Sequence, residues 1–159
     1  MKRLFAIALV CVVALFAAPG AKALIKYGVV GGATFTDMKN VEVGTQTGWH
    51  LGATAQIDLP LGFAVQPSLI YNSKVDSTVE VPVSLQWGPD LLIFRPFVEV
   101  APYVGYKFTS TAGLEYGVGL GGGLEVWRFQ ASCRYNWNLE SAFNNYRGVT
   151  LSLAFLFGK

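Results

Sequence analysis

Trp49-His50-Leu51-Gly52-Ala53-Thr54-Ala55-Gln56-Ile57-Asp58-Leu59 decides how this chain folds. Its odd positions are Trp49, Leu51, Ala53, Ala55, Ile57 and Leu59; its even positions are His50, Gly52, Thr54, Gln56 and Asp58. Alternation of apolar with polar residues is the mark of a strand with one buried face, because successive side chains point to opposite sides of the pleat. A helix would bring its apolar residues back at three- and four-residue intervals.

Working outward, the same period recurs from residue 24 to the end, broken by clusters of Gly, Pro, Asn and Asp. Eight segments can be placed, at about 25–35, 47–59, 62–73, 78–87, 92–107, 114–126, 129–139 and 147–157. In each the apolar set keeps one parity. Examples are Val79, Val81, Val83, Leu85 and Trp87 in the fourth, and Val149, Leu151, Leu153, Phe155 and Phe157 in the eighth. The expected fold is all-β: an eight-stranded antiparallel up-and-down barrel.

Alternation does not say which face meets water, and a soluble lipocalin-like barrel alternates with its apolar face inside. Two features place the apolar face outside, in lipid. The opposite face mixes charges with many glycines, including Gly28, Gly32, Gly52, Gly117, Gly119, Gly121 and Gly123, as a crowded narrow interior requires. The aromatics of the apolar face also gather at its two ends. Tyr27, Phe63, Trp87, Phe94, Phe129, Phe155 and Phe157 fall near one rim, and Phe35, Trp49, Tyr71, Tyr106 and Trp137 near the other. Two such girdles flanking a Val/Leu/Ala band describe a transmembrane barrel. The links at 36–46, 74–77, 108–113 and 140–146 are longer than those at Pro60-Leu61, Gly88-Pro89-Asp90 and Trp127-Arg128. The short ones therefore belong to the periplasmic side, with both termini.

Residues 1–23 read as a cleavable secretory signal, leaving 24–159 as the barrel. Lys2 and Arg3 precede the apolar run Leu4 to Ala18, Pro19-Gly20 break it, and Ala21-Lys22-Ala23 supplies small residues at a cleavage site. Loss of Lys2, Arg3 and Lys22 takes twelve bases to nine against ten acids, so a net charge of +2 becomes −1. Nothing in that balance favours nucleic acid. Cys11 leaves with the signal, and Cys133, then alone, has no internal disulfide partner and reads as a small lipid-facing residue.

Pro67, Pro82, Pro96 and Pro102 lie inside these strands, where a missing N–H calls for a bulge or a lost ladder bond. Around them, Gln66-Pro67-Ser68-Leu69-Ile70-Tyr71-Asn72-Ser73-Lys74, Val79-Glu80-Val81-Pro82 and Arg95-Pro96-Phe97-Val98-Glu99-Val100-Ala101-Pro102-Tyr103 resemble the PorT-like outer-membrane β-barrel family. Tyr135-Asn136-Trp137 and Leu151-Ser152-Leu153-Ala154-Phe155-Leu156-Phe157 fit it as well, so the resemblance covers essentially all of 24–159. It implies an eight-stranded barrel in the cell outer membrane. It implies no single activity, since a few relatives serve protein secretion and most have no assigned role. One departure is that Gly158-Lys159 follow Phe157, where outer-membrane barrels commonly end on an aromatic residue read by the insertion machinery.

Three constellations are candidates for chemistry. Gly117-Val118-Gly119-Leu120-Gly121-Gly122 matches G-x-G-x-x-G, but the dinucleotide fingerprint needs a following helix, and here a strand continues into Trp127-Arg128. Small interior residues facing bulky neighbours explain these glycines better. The interior parity also collects Lys26, Asp58, Glu80, Arg95, Glu99, Lys107, Glu115, Glu125 and Arg134, near balance in sign, which reads as a paired network filling the lumen. Glu99 and Glu125 are of a type that does acid–base work, although no cleft is implied. His50, the single histidine, points inward; a hydrolase would pair it with an acid and a serine such as Ser73 or Ser110, but a hydrogen-bonded structural role is expected. The outer loops, with Asp37, Lys39, Asn40 and Glu42 in one and Glu140, Asn144 and Asn145 in another, read as solvated tips.

No cofactor or metal motif is present in the sequence. The expectation is a non-enzymatic outer-membrane barrel of structural or accessory type, whose partners are outer-membrane lipid and the barrel-insertion machinery. The competing expectations are a membrane enzyme or narrow channel using the interior polar set, and a soluble ligand-binding barrel.

Overall fold

A computed structural model describes residues 24–37, 46–73, 77–108, 113–139 and 147–158. Eight strands close on one another in chain order: β1 (Leu24–Asp37), β2 (Gln46–Asp58), β3 (Phe63–Ser73), β4 (Ser77–Trp87), β5 (Phe94–Lys107), β6 (Gly113–Val126), β7 (Phe129–Asn138) and β8 (Arg147–Phe157). Every seam is antiparallel, and β8 pairs with β1, so the barrel has no free edge. In lipid that closure is obligatory, because an unpaired edge would leave backbone groups without water. Residues 1–23, expected to be a signal, and most of the four longer links lie outside the described residues.

Pairing fixes how far the strands are staggered. From Leu24 the partners run through Asp58, Ala64, Gln86, Glu99, Gly121, Arg134 and Thr150, and return to β1 at Thr34, ten residues along. Such a shear tilts the strands against the axis and sets a lumen that side chains can fill.

The two faces have opposite polarity. Tyr27, Val29, Leu51, Leu69, Val98, Leu120, Leu151 and Leu153 are exposed on the outside, while Gln56, Gln66, Gln86, Glu99, Glu115 and Glu125 are buried within. Among the described residues, one cluster of buried apolar side chains is Val30, Ile70 and Ala154. A soluble barrel of this size would put its apolar side chains in the centre, so these faces are those of a membrane-embedded barrel and do not favour the lipocalin-like alternative. All the aromatic residues of the two expected girdles lie on the outward parity. Phe129 packs edge-on against Phe155, and Phe155 against Phe157, at one rim; Trp49 meets Tyr71 at the other.

Of the two outcomes expected at the strand prolines, the structure has the lost ladder bond. At the prolines there is no bulge: partner numbers keep one register on both sides of every gap. The ladder lapses between Thr54↔Ser68 and Ile57↔Val65, between Pro67↔Val83 and Ile70↔Glu80, and between Pro82↔Tyr103 and Leu85↔Val100. Pro67, Pro82 and Pro102 thus remove pairs at three adjacent seams, because proline has no N–H to donate. Pro96 and Pro102 both keep their partners on β6.

One expectation needs correction, that of the β4–β5 link. Its bend is not at Gly88-Pro89-Asp90. Leu91 and Phe94 exchange backbone hydrogen bonds of 3.1 and 2.8 Å, so the hairpin keeps its register to a two-residue tip, Leu92-Ile93.

Candidate functional site

The interior is built by the even- or odd-numbered residues that alternation turns inward, and closure brings distant strands within reach. β3 and β7 stand opposite each other in an eight-stranded ring, yet Gln66 Nε2 donates to Gln130 Oε1 at 2.9 Å. Gln130 Nε2 donates on to Gln86 Oε1 at 3.4 Å, and Gln86 Nε2 donates back to Gln66 Oε1. Three amides therefore form a closed ring of donors and acceptors across the lumen. Gln130 also donates to Gln56 Oε1 at 3.2 Å.

On the terminal side of this ring lies an ionic layer. Lys26 Nζ sits 2.9 Å from Asp58 and 2.7 Å from Glu125. Arg95 reaches the other Glu125 oxygen at 3.3 Å and the exposed Asp90 at 3.4 Å, and donates to the Gly62 carbonyl at 3.1 Å. Gln56 donates to both Asp58 and Glu125, at 2.7 and 3.1 Å. A carboxylate as buried as Glu125 survives charged only because cations and an amide saturate it.

Above the ring, Arg134 donates to Glu99 at 2.9 Å and to Ser84 at 2.8 Å. Lys107 pairs with Glu115 at 3.1 Å near the far rim. The space left among Glu80, Glu99, Tyr103, Arg134, His50 and their neighbours is a cavity of about 40 Å³, room for about one water molecule. Every buried side-chain nitrogen and oxygen among the described residues has a partner.

His50 is held by a gap in the neighbouring strand. Gly32 of β1 is the partner of both His50 on β2 and Ser152 on β8. Having no side chain, it lets His50 Nε2 and Ser152 Oγ approach to 3.0 Å over its backbone. A Cβ there would fall 1.9 Å from the Leu151 carbonyl and 2.8 Å from His50 Cε1. Nδ1, the atom that a triad acid would engage, lies 3.3 Å from the Thr34 hydroxyl.

All ten interior residues expected from sequence point into the lumen, but they form separate groups. Lys26, Asp58, Arg95 and Glu125 make one, Glu99 and Arg134 a second, and Lys107 and Glu115 a third. Glu80 lines the cavity beside His50. Glu99 pairs with Arg134, and Glu125 with Lys26 and Arg95. Ser73 has the outward parity of Trp49, its partner, so the serine at His50 is Ser152; Ser110 lies outside the described residues. The glycine-rich run 117–122 lies wholly within β6. Its glycines have two causes, where one was expected: Gly119 faces the Arg134 stem, whereas Gly121 lies against the Cys133 carbonyl of the next strand. Among the described residues no three potential metal ligands cluster.

Sequence reading missed the four interior glutamines and Tyr103. The parity of Gln56, Gln66, Gln86 and Gln130 was the available signal.

No family model matches the chain, and no curated protein matches it. Solved structures do. Neisserial surface protein A superposes with a TM-score of 0.66 at 15% identity, over 88% of this chain and 99% of the other. The N-terminal β-barrel domain of Pseudomonas aeruginosa OprF gives 0.54 at 15% identity, over 82% and 97%. At that identity the likeness is one of fold, that of small outer-membrane β-barrels.

Proposed function

We propose that this chain is a non-enzymatic integral protein of a bacterial outer membrane, of structural or accessory type, whose barrel is sealed by its own side chains. The PorT-like resemblance supports the outer-membrane barrel, but no single activity. One observation carries the sealed barrel: the Gln66–Gln130 hydrogen bond runs from one wall of the lumen to the wall opposite. A conducting path would have to part that bond, the amide ring around it and the ionic layer beyond. Its partners are outer-membrane lipid on the apolar band and the machinery that inserts barrels.

The test joins two measurements. Electrophoresis of outer-membrane fractions, boiled against unboiled, should show a heat-shifted band, since a closed barrel resists detergent until heated. Purified protein in planar bilayers should then give no stepwise conductance. Steady single-channel currents would replace the sealed barrel with a channel; a soluble, unshifted band would refute the membrane reading.

A further inference from the structure

The β4–β5 hairpin ends in residues that its turn does not call for. Two-residue hairpin tips favour Asn, Asp and Gly, yet here the tip is Leu92, fully exposed, and Ile93, 76% exposed. With Leu91 and Phe94 they make four consecutive exposed apolar residues, a pattern that is an error on a soluble surface unless it serves contact.

The neighbouring turns at this rim repeat it. Leu61, 87% exposed, and Trp127, 73% exposed, occupy the β2–β3 and β6–β7 turns. Their φ values are +66° and +57°, in the left-handed region where glycine or asparagine is cheap and a bulky side chain is strained. Arg128 stacks on Trp127 at 5.2 Å. The first two turns are locked together: Gly88 N–H donates to the Gly62 carbonyl at 3.0 Å, and Arg95 ties that same carbonyl to Asp90.

Polarity along the hairpin identifies the occupant. Leu85, Trp87, Pro89 and Leu91 share the outward parity of β4, and three of them pair across to β5, Leu85 with Val100, Trp87 with Val98 and Leu91 with Phe94. Gly88 and Arg95 have the opposite, inward parity, and Arg95 reaches out to the exposed Asp90 at 3.4 Å. The lipid-facing band therefore runs unbroken past the Trp87–Phe94 girdle to the tip. A periplasmic protein would need a docking face at the end of the barrel. Here the apolar residues instead continue its side wall, beside an Arg–Trp pair of the kind that settles among headgroups.

We infer that the short-turn rim is a membrane-anchoring surface: Leu91–Ile93, with Leu61 and Trp127, enters the headgroup–acyl boundary of the periplasmic leaflet and fixes the depth of the barrel. This rests on the membrane-embedded reading of the barrel.

A nitroxide at Leu92→Cys, in a chain with Cys11→Ser and Cys133→Ser, measures it in phosphatidylethanolamine–phosphatidylglycerol vesicles. A second label at Val98→Cys reports the band itself. The expected result is both labels more accessible to oxygen than to a water-soluble nickel chelate, Leu92 less deeply than Val98. Val98 in lipid with Leu92 in water would overturn the anchor and leave a protein as the occupant of that tip. Both labels in water would overturn the barrel's embedding as well.

Discussion

Gln66 of β3 and Gln130 of β7 meet at 2.9 Å although their strands stand on opposite sides of the barrel. Each also uses its second amide atom on Gln86, so the three form a cycle in which every donor is an acceptor. Cutting such a cycle leaves several buried groups unpaired at once. Gln130→Ala should destabilise the barrel by about 1–3 kcal/mol, read as a lower urea midpoint in lipid vesicles. Gln130→Leu fills the space with no polar atom and strands the same partners. It should be no better than alanine; full stability in the leucine variant would mean that the ring is incidental.

Glu125 is the shared acid of the ionic layer, bound by Lys26, Arg95 and Gln56. Glu125→Leu would leave the buried Arg95 and the part-buried Lys26 with less compensation; about 3–5 kcal/mol, the scale for breaking a fully buried pair, is the upper bound of the expected loss. Lys26→Met alone should cost less, since Glu125 keeps Arg95. Combined with Glu125→Leu it should cost less than the two single effects together, because the stranded cation is gone. Strict additivity in that cycle would separate the two residues energetically.

Gly32 carries the His50–Ser152 hydrogen bond by lacking a side chain. Gly32→Ala should therefore lower the unfolding midpoint more than His50→Ala does. The histidine change removes one polar side chain, whereas the new methyl must also push the Leu151 carbonyl of β8 away. An alanine at 32 tolerated as well as the wild-type glycine would show that β1 and β8 can move apart at that level.

The strands were legible because period-two parity is strict when lipid lies on one side and a polar lumen on the other: a one-residue slip would exchange the two environments. Every segment from β1 to β8 was found within about two residues of its ends. Less legible was what depends on closure. Ser152 is 102 positions from His50, and only the β8–β1 seam, with Gly32 between them, makes them neighbours. The glutamine ring was not legible because its members lie on β3, β4 and β7, and only closure brings β3 and β7 together across the lumen. The β4–β5 tip was misplaced because Gly88, Pro89 and Asp90 are turn residues by type. Here the 91↔94 pairing continues the strand register and carries the bend to Leu92-Ile93. The prolines pointed correctly to lost ladder pairs, but not to their alignment on three adjacent seams, which only the register discloses.

Adjacent residues on β4 offer the sharpest check of inside against outside. Val83 faces lipid opposite Pro67, while Ser84 is buried and accepts a hydrogen bond from Arg134 at 2.8 Å. Val83→Arg puts a charge near the middle of the apolar band, at a cost of about 2–4 kcal/mol, and should lower the unfolding midpoint in vesicles or abolish the heat-shifted band. Ser84→Leu removes an acceptor from the part-buried Arg134 guanidinium and puts an apolar side chain among polar ones; a loss of about 1–3 kcal/mol follows from the stranded donor. The reciprocal changes, Val83→Leu and Ser84→Thr, should be nearly silent, since each keeps the polarity of its face. If arginine at 83 and leucine at 84 were both harmless, the assignment of faces along β4 would be reversed.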